Sequence, residues 1–513
     1  MSNQARISIR NCIIFVFLIN CILSACADGK KITSDASDAS KASPRIIVIG
    51  AGAAGIAAAS KLLENGFENV KILEAEARIG GRIHTAQFFD YSIDLGAQWV
   101  HGESENVAYE LGEPLGVFGK SDEPAHGFRR AEYFDSRGNM LQKDIAKNLT
   151  SFISEKLFRM TFEDRPKSFG ECAEKLFKES FDKQSKIYND KNRYLSLLES
   201  ITNGYYGTKS WHDLSVDIDQ CKLLPGDQMI NWKEKGSSML LDIMMKQLPD
   251  QKREQSLLNK TILDSEVLFV DYLPSGEGPP VLITTTKGFL YQADHVIVTV
   301  SLGVLKEKYK SFFIPPLPDY KVQTINAIGY GNVAKIYVLF EKPFWKVEDH
   351  GKVLHFMFTW NEAEKKTLQN DKEKSWVLGI YDVSTVEYKP NLLEIWIAGN
   401  YSQAMERLPE FKVFDHAVEV LQQFLGRKYK LENPKAMYLS QWYMNPHFRG
   451  AYSFRSLEME KQKVSADMLA KPLENLRVLF AGEATSSDRF STVDGAIATG
   501  WSAADTLINH YKK

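Results

Sequence analysis

Arg45-Ile-Ile-Val-Ile49 runs directly into Gly50-Ala-Gly52-Ala-Ala-Gly55, and this stretch decides the fold. A short apolar run that breaks into a glycine turn and then a small-residue run reads as a buried parallel strand, a tight turn and a helix. Gly50 permits the turn, Gly52 lets backbone approach a pyrophosphate, and Gly55 lets the helix pack on the strand. The helix is expected from Ala53 to about Asn65, with Gly66 as its stop. Its first N–H groups offer a partial positive charge to a phosphate. A second apolar run, Val70-Lys-Ile-Leu, ends at Glu74, where an acid can accept hydrogen bonds from ribose hydroxyls. Strand, glycines, helix and acid in this order predict a dinucleotide-binding βαβ unit.

Two further segments narrow the dinucleotide. Gly80-Gly81-Arg82 follows the second strand, where glycines let backbone and a fixed cation reach a second phosphate or the far side of a cofactor. Near the C-terminus, Arg477-Val-Leu-Phe-Ala-Gly482-Glu483 precedes Ser491-Thr-Val-Asp-Gly495-Ala-Ile-Ala-Thr-Gly500. This reads as an apolar strand, a Gly-Glu turn and a helix whose small residues allow close approach of a flat ring. The N–H groups opening that helix would stabilise negative charge on such a ring.

These motifs, with Gly96-Ala-Gln-Trp-Val-His-Gly102, Lys335, Trp442 to Tyr452 and Phe480-Ala-Gly-Glu-Ala-Thr485, resemble the flavin-containing amine oxidases, and within them the polyamine and spermine oxidases. The resemblance runs from residue 44 to about 509. It implies an α/β fold with a discontinuous Rossmann-like FAD-binding domain and a mixed-sheet and helical substrate domain. It implies FAD against Gly50, Gly52, Ala53, Ala54, Gly55, Glu74, Arg82, Gly96, Ala97, Gln98, Trp99, Val267, Trp442, Gly482, Glu483, Thr492 and Val493. It also implies oxidation of a polyamine (spermine, spermidine or an acetylated form) by hydride transfer to flavin. Oxygen would be reduced to hydrogen peroxide, and the imine hydrolysed to aldehyde and amine.

The length of 513 residues favours two domains, and 44% hydrophobic and 12% aromatic residues suffice for large cores. Strand patterns at 281–286 and 295–300 join the FAD-binding part, expected over 44–120, 225–320 and 466–510. The substrate part is expected over 121–224, helical in composition, and 321–465. The latter alternates like an antiparallel sheet at Ala334–Phe340 and Leu393–Ile397. A net charge of −2 gives no support to nucleic-acid binding.

Residues 1–27 read as a secretory signal peptide: Arg6 and Arg10, an apolar stretch from Cys12 to Leu23, then Ala25-Cys-Ala27. About 12 apolar residues are too few for an easy membrane span, so the chain is expected to be secreted. In a bacterial source, Leu23-Ser-Ala-Cys26 would read as a lipoprotein site. Residues 28–43 read as a disordered linker. Cys172 and Cys221 are open to pairing or to burial as thiols, and no cysteine cluster suggests a metal. Sequons stand at Asn148, Asn259 and Asn400.

Oxidising an amine beside a flavin needs a neutral nitrogen, an oriented C–H bond and exclusion of bulk water rather than a strong base at carbon. By pattern alone, Lys335 in its apolar strand is an edge-strand lysine. The resemblance implies instead that it holds a water against the flavin. His101, a structural histidine by pattern, becomes a tunnel residue that tunes a substrate nitrogen. Tyr452 becomes a substrate wall. Glu103 and Glu199 are the candidate acids for a polycation, with Glu105 beside them.

Three positions depart from relatives within the family. Ala451 stands where monoamine oxidases carry a flavin-linked cysteine, so FAD should be non-covalent. Thr492 replaces their second cage aromatic, and Asp494 stands where animal spermine oxidases commonly have histidine. Two alternatives remain: a related amine or L-amino-acid oxidase, for which Arg449 is the candidate carboxylate binder, and a flavin-binding protein without turnover. A histone demethylase lacks room in this chain for its extra domains.

Overall fold

The computed structural model describes residues 43–119, 128–160, 167–183, 185–216, 222–233, 235–249, 257–274, 280–346 and 352–512. The expected signal peptide, nearly all of the linker, and Cys221 lie outside them. Residues 44–513 form one compact unit.

Three sheets of four or more strands organise the described chain. In chain order their strands are β1 (Ile46–Ile49), β2 (Val70–Leu73), β3 (Ala131–Asp135), β4 (Thr261–Ile262) and β5 (Val267–Asp271). They continue as β6 (Val281–Thr285), β7 (Leu290–Ala293), β8 (His295–Val298), β9 (Phe313–Ile314) and β10 (Val333–Leu339). The last are β11 (His355–Thr359), β12 (Ile380–Val386), β13 (Lys389–Ala398), β14 (Ala436–Leu439) and β15 (Val478–Phe480). Three helices matter most to the site: α1 (Ala53–Glu64), α2 (Lys191–Tyr206) and α3 (Val493–Tyr511).

The first sheet is parallel, in the order β15-β8-β1-β2-β4. Its central strand β1 reads as a continuous apolar run, Ile46–Ile49, because both faces are covered. Ile46 and Val48 point into the core shared with α1 and α3, while Ile47 and Ile49 point into a second core shared with β5, β6 and the helix Leu302–Phe312. The unit β1-α1-β2 is the expected βαβ crossover. Helix α1 ends at Glu64 with Asn65 as its C-cap and Gly66 at φ +86°, one residue from the expected stop.

Glycine acts here by absence of volume. A Cβ placed on Gly55 would stand 1.9 Å from the Gly50 carbonyl oxygen, and one on Gly500 would stand 2.3 Å from that of Ala54. The first glycine seats α1 on the turn, and the second seats α3 on α1. A Cβ on Gly52 would meet nothing closer than the Gly80 carbonyl oxygen at 3.9 Å.

The second sheet has the order β7-β6-β5-β9. The strand pattern at 281–286 therefore belongs to this separate sheet, while the one at 295–300 enters the parallel sheet. The third sheet has the order β14-β10-β13-β12-β11-β3 and is antiparallel except for the β11–β3 pair. Strand β3 comes from the segment whose composition reads as helical, and it pairs in register from Ala131 with His355 to Asp135 with Thr359. Its burial pattern is mixed, so periodicity gave it away weakly. One face of this sheet carries Ala334, Ile336 and Val338 into a core closed by the helix Glu410–Leu425. The other carries Lys335 and Tyr337.

Gly55→Ala should destabilise the protein by about 2–3 kcal/mol, because the extra carbon is forced into a packed turn. Gly52→Ala should cost under about 1 kcal/mol, since space is open there. Denaturant midpoints of the two variants check this. Equal losses would sink the distinction.

Candidate active site

One cavity of about 510 Å3 collects nearly all of the residues singled out from sequence. Gly50, Gly52, Ala53, Ala54, Glu74 and Arg82 line one end. Gly96, Ala97, Gln98, Trp99, Val267, Trp442, Tyr452, Gly482, Glu483, Thr492 and Val493 line it further on, with His101 and Lys335. Gly55 does not line it. Its place is the packing contact described above, because the crowding of its α-carbon leaves no surface to offer.

Glu74 is buried at the end of β2. Its carboxylate accepts from Ala51 N at 2.6 Å and from Glu76 N at 2.8 Å. Burial raises its pKa, and those two N–H groups pull it back down. Arg82 is tied to the protein itself: its Nη1 donates to Glu483 Oε1 at 2.9 Å and to the Ala451 carbonyl at 2.7 Å. It lines the cavity as half of an ion pair rather than as an unpaired phosphate clamp. Glu483 Oε2 also takes the Ser453 hydroxyl and Ser491 N–H. The pair therefore fastens the Gly-Glu turn to the segments at 451–453 and 491.

Thr492 is the N-cap of α3, accepting from Gly495 N at 3.1 Å. The positive end of a 19-residue helix is thus presented to the cavity through Thr492, Val493 and Ala496. Gly482 has φ +134°, and a Cβ there would meet nothing within 4 Å. Open space above Gly52 and Gly482 forms a cradle that side chains would fill. Trp99 Nε1, which is buried, has no hydrogen-bond partner among the described residues. A bare backbone turn, a helix N-terminus and an orphaned indole donor fit a long, anionic, planar-ended cofactor such as FAD.

Lys335 is not an edge lysine. Strand β10 lies between β14 and β13, and the side chain is only 4% exposed. Its Nζ donates to the Asp94 carbonyl at 2.9 Å and to Gln98 Oε1, and stands 3.4 Å from Glu394 Oε1. The Trp396 ring centroid is 4.3 Å away, and Trp396 stacks on Trp99 at 5.6 Å. Burial pulls the ammonium below the ordinary lysine value, against the opposing pull of Glu394 and Asp94. Tyr337, two residues on, donates to the same Asp94 carbonyl at 2.8 Å.

His101 is held through Nδ1 by the Gln228 carbonyl at 2.5 Å. Since that carbonyl can only accept, Nδ1 carries the proton and neutral Nε2 carries a lone pair. Burial lowers its pKa. Nearby, Arg489 and Asp494 form a buried ion pair at 2.6 Å. The aspartate that departs from the spermine oxidase pattern, in the first turn of α3, is thereby paired with an arginine of the loop before the helix. Tyr452 lines the cavity and donates its hydroxyl to the Gly204 carbonyl at 2.8 Å at the end of α2.

Four candidate residues from the sequence do not take their expected places. Glu103 is exposed, and Glu199 accepts from Ser210 Oγ at 2.9 Å; neither lines the cavity. Glu105 is exposed and paired with Lys222. Glu103 and Glu105 sit in a surface turn after Gly102, and Glu199 lies on a helix face turned towards the 208–210 loop. Arg449 is bound to Glu307 and lies off the cavity, so it is not poised to hold a substrate carboxylate. The acids that do line the far end are Asp382, Glu387 and Glu394 on the third sheet and its β12–β13 turn. Their signal was faint: Asp382 and Glu394 each interrupt an otherwise largely apolar strand, Ile380–Val386 and Lys389–Ala398.

Comparison with known proteins agrees with this geometry. The chain is 30% identical over 500 residues to a Bos taurus peroxisomal N(1)-acetyl-spermine/spermidine oxidase, covering 91% of this chain and 94% of that one. It is 29% identical to polyamine oxidase 2 of Arabidopsis thaliana, covering 90% and 88%. A solved double mutant of putrescine oxidase superposes with a TM-score of 0.63 at 19% identity, covering 91% of this chain and 99% of that one, and so shares the fold. Residues 53–508 match the flavin containing amine oxidoreductases, and the chain belongs to that family.

Proposed function

We propose that this protein oxidises polyamines with non-covalently bound FAD and molecular oxygen, in the secretory pathway or outside the cell. The observation that carries the reading is Lys335, buried beside a stacked tryptophan pair in the cavity that the glycine turn and the α3 N-terminus also line. When bound, FAD would supply the two-electron acceptor and its reoxidation by oxygen. The residues that would hold it are Gly52, Glu74, Gly482, Thr492 and their neighbours on the cavity wall.

The remaining work falls to the chain. Aromatic walls at Trp396, Tyr381 and Tyr452 exclude water and accept an amine in either charge state. The Nε2 lone pair of His101 accepts a hydrogen bond from the substrate nitrogen and orients it, while burial in the aromatic cavity favours the neutral amine. Lys335 holds a water at the end of its ammonium. The parts 44–120, 225–320 and 466–510 bind the cofactor in this reading, and 121–224 and 321–465 bind substrate. Support for non-covalent attachment is Ala451, which has no nucleophile at the cavity wall. Support for secretion is the basic and apolar pattern of residues 1–27 and exposed sequon asparagines at 148, 259 and 400. Acid precipitation should release the yellow cofactor; colour retained in the pellet would overturn non-covalent binding.

Peroxide should form with spermine, spermidine or their acetylated forms, and not with a monoamine or an L-amino acid. Lys335→Met should lower kcat by about 100-fold or more with flavin content unchanged. A yellow wild-type protein inert to every polyamine would remove the assignment. Gly52→Ala, though folded, should purify with less flavin, read from the ratio of visible to ultraviolet absorbance.

The pH dependence has two separable limbs. Burial sets His101 below the ordinary imidazole value, so its loss of activity on protonation lies at the acid end. The rise of kcat/KM through neutral and alkaline pH belongs to the substrate amine losing its proton. His101→Gln should raise KM about 10-fold and remove the acid limb alone. Disappearance of the alkaline limb in that variant would contradict the assignment.

A further inference from the structure

The cavity-facing side of the third sheet carries a row of polar and aromatic side chains, with a bulge in β12 just before Asp382. Lys335 on β10 pairs with Trp396 on β13, which pairs with Asp382 on β12. One row on, Glu394 pairs with Ser384, and Ser384 pairs with His355 on β11. All six residues line the cavity.

The carboxylates along the wall differ in what neutralises them. Glu394 faces Lys335, Glu266 meets Lys308 at 2.6 Å, and Glu483 meets Arg82 at 2.9 Å. Glu387 accepts from Asn231 Nδ2 at 2.9 Å. Asp382 is different: its ion-pair partner is His355, whose Nδ1 lies 3.0 Å from both carboxylate oxygens. Asp382 is 5% exposed, so its charge is sheltered from water yet faces the cavity. The His355 ring, held against both oxygens, fixes the orientation of this carboxylate at the cavity wall.

From this placement we infer that Asp382 is a specificity-determining residue that binds the free terminal ammonium of the substrate, one spacer away from the nitrogen being oxidised. The inference rests on the polyamine reading above. Two strand spacings of about 4.8 Å put Asp382 about 10 Å from Lys335 across the sheet. Two amine nitrogens joined by four methylenes span about 6 Å at roughly 1.2 Å per backbone bond. A hydrogen bond of about 3 Å to the carboxylate brings that reach to about 9 Å, the scale of the two-strand separation. Trp396 lies between the two points, where the methylenes pass. His355, which holds the carboxylate, is a positioning residue. An acetylated end brings no charge to this point and gains nothing from it.

The test compares two substrates with the same carbon chain, one ending in a free ammonium and one in an acetamide. In Asp382→Asn, kcat/KM for the free-ended substrate should fall roughly 10- to 100-fold. The fall should lie mainly in KM, while the acetylated substrate changes less than about 3-fold. His355→Asn, which keeps an N–H donor, should retain most of the discrimination. A check without substitution uses the wild-type protein: a four-carbon diamine should inhibit more tightly than a monoamine of equal length by a similar factor. Equal losses for both substrates, an effect confined to kcat, or equal inhibition by diamine and monoamine would overturn the inference. Wild-type protein that oxidises neither substrate would instead overturn the polyamine reading, and the inference with it.

Discussion

A single buried ammonium ties this molecule together. Lys335 stands on the third sheet, yet two of its acceptors, the Asp94 carbonyl and the Gln98 side chain, belong to the segment that follows the glycine-rich cofactor motifs. Burying a charge is costly unless hydrogen bonds and a counter-charge meet it. Here the requirement is met only when the 94–98 segment, Glu394 and the Trp99–Trp396 pair are all in place. The same segment is clamped from elsewhere. Gly96 lies where a Cβ would be 1.9 Å from the Arg82 carbonyl oxygen, and Trp442 Nε1 donates to the Leu95 carbonyl at 3.1 Å. Asp94 meanwhile takes Thr85 and Ser237 on its carboxylate. The position of the lysine is therefore over-determined.

The cofactor end was legible in the sequence because its chemistry is local. A turn that needs Gly50, a contact that forbids a Cβ on Gly55 and an acid closing a short strand are fixed by neighbours in the chain. The start of α3 was legible for the same reason: Thr492 caps the helix three residues ahead. What could not be read locally was the substrate end. Glu103 and Glu199 were nominated by closeness in sequence to His101 or by charge alone. Asp382 and Glu394 reach the cavity through pairing of strands that sequence order does not reveal. Lys335 shows the limit most clearly. A lysine in an apolar strand reads as an edge residue, and only the flanking strands β13 and β14 show that it is interior.

Arg82 and Asp494 illustrate a second limit. Arg82 reads in the sequence as a cation reaching the cofactor, and Asp494 as a departure from the spermine oxidase pattern. Each is half of an ion pair, to Glu483 and to Arg489. Their visible work is to hold loops together around the cavity: the 451–453 segment, the Gly482 turn, and the 489–494 approach to α3. Sequence shows a charge but not its partner, and in a buried site the partner decides whether that charge is offered to a ligand or used internally.

Because the floor of the substrate end is a hydrogen-bonded sheet, distance along it comes in steps. Moving a carboxylate from one strand to the next changes its reach by about one inter-strand spacing, and shifting it by two residues along a strand moves it sideways on the same face. The polar row thus works as a graduated scale whose marks are strands. On the inference above, relocating one acid between strands of this sheet would select a longer or shorter amine spacer, with the lysine end left untouched.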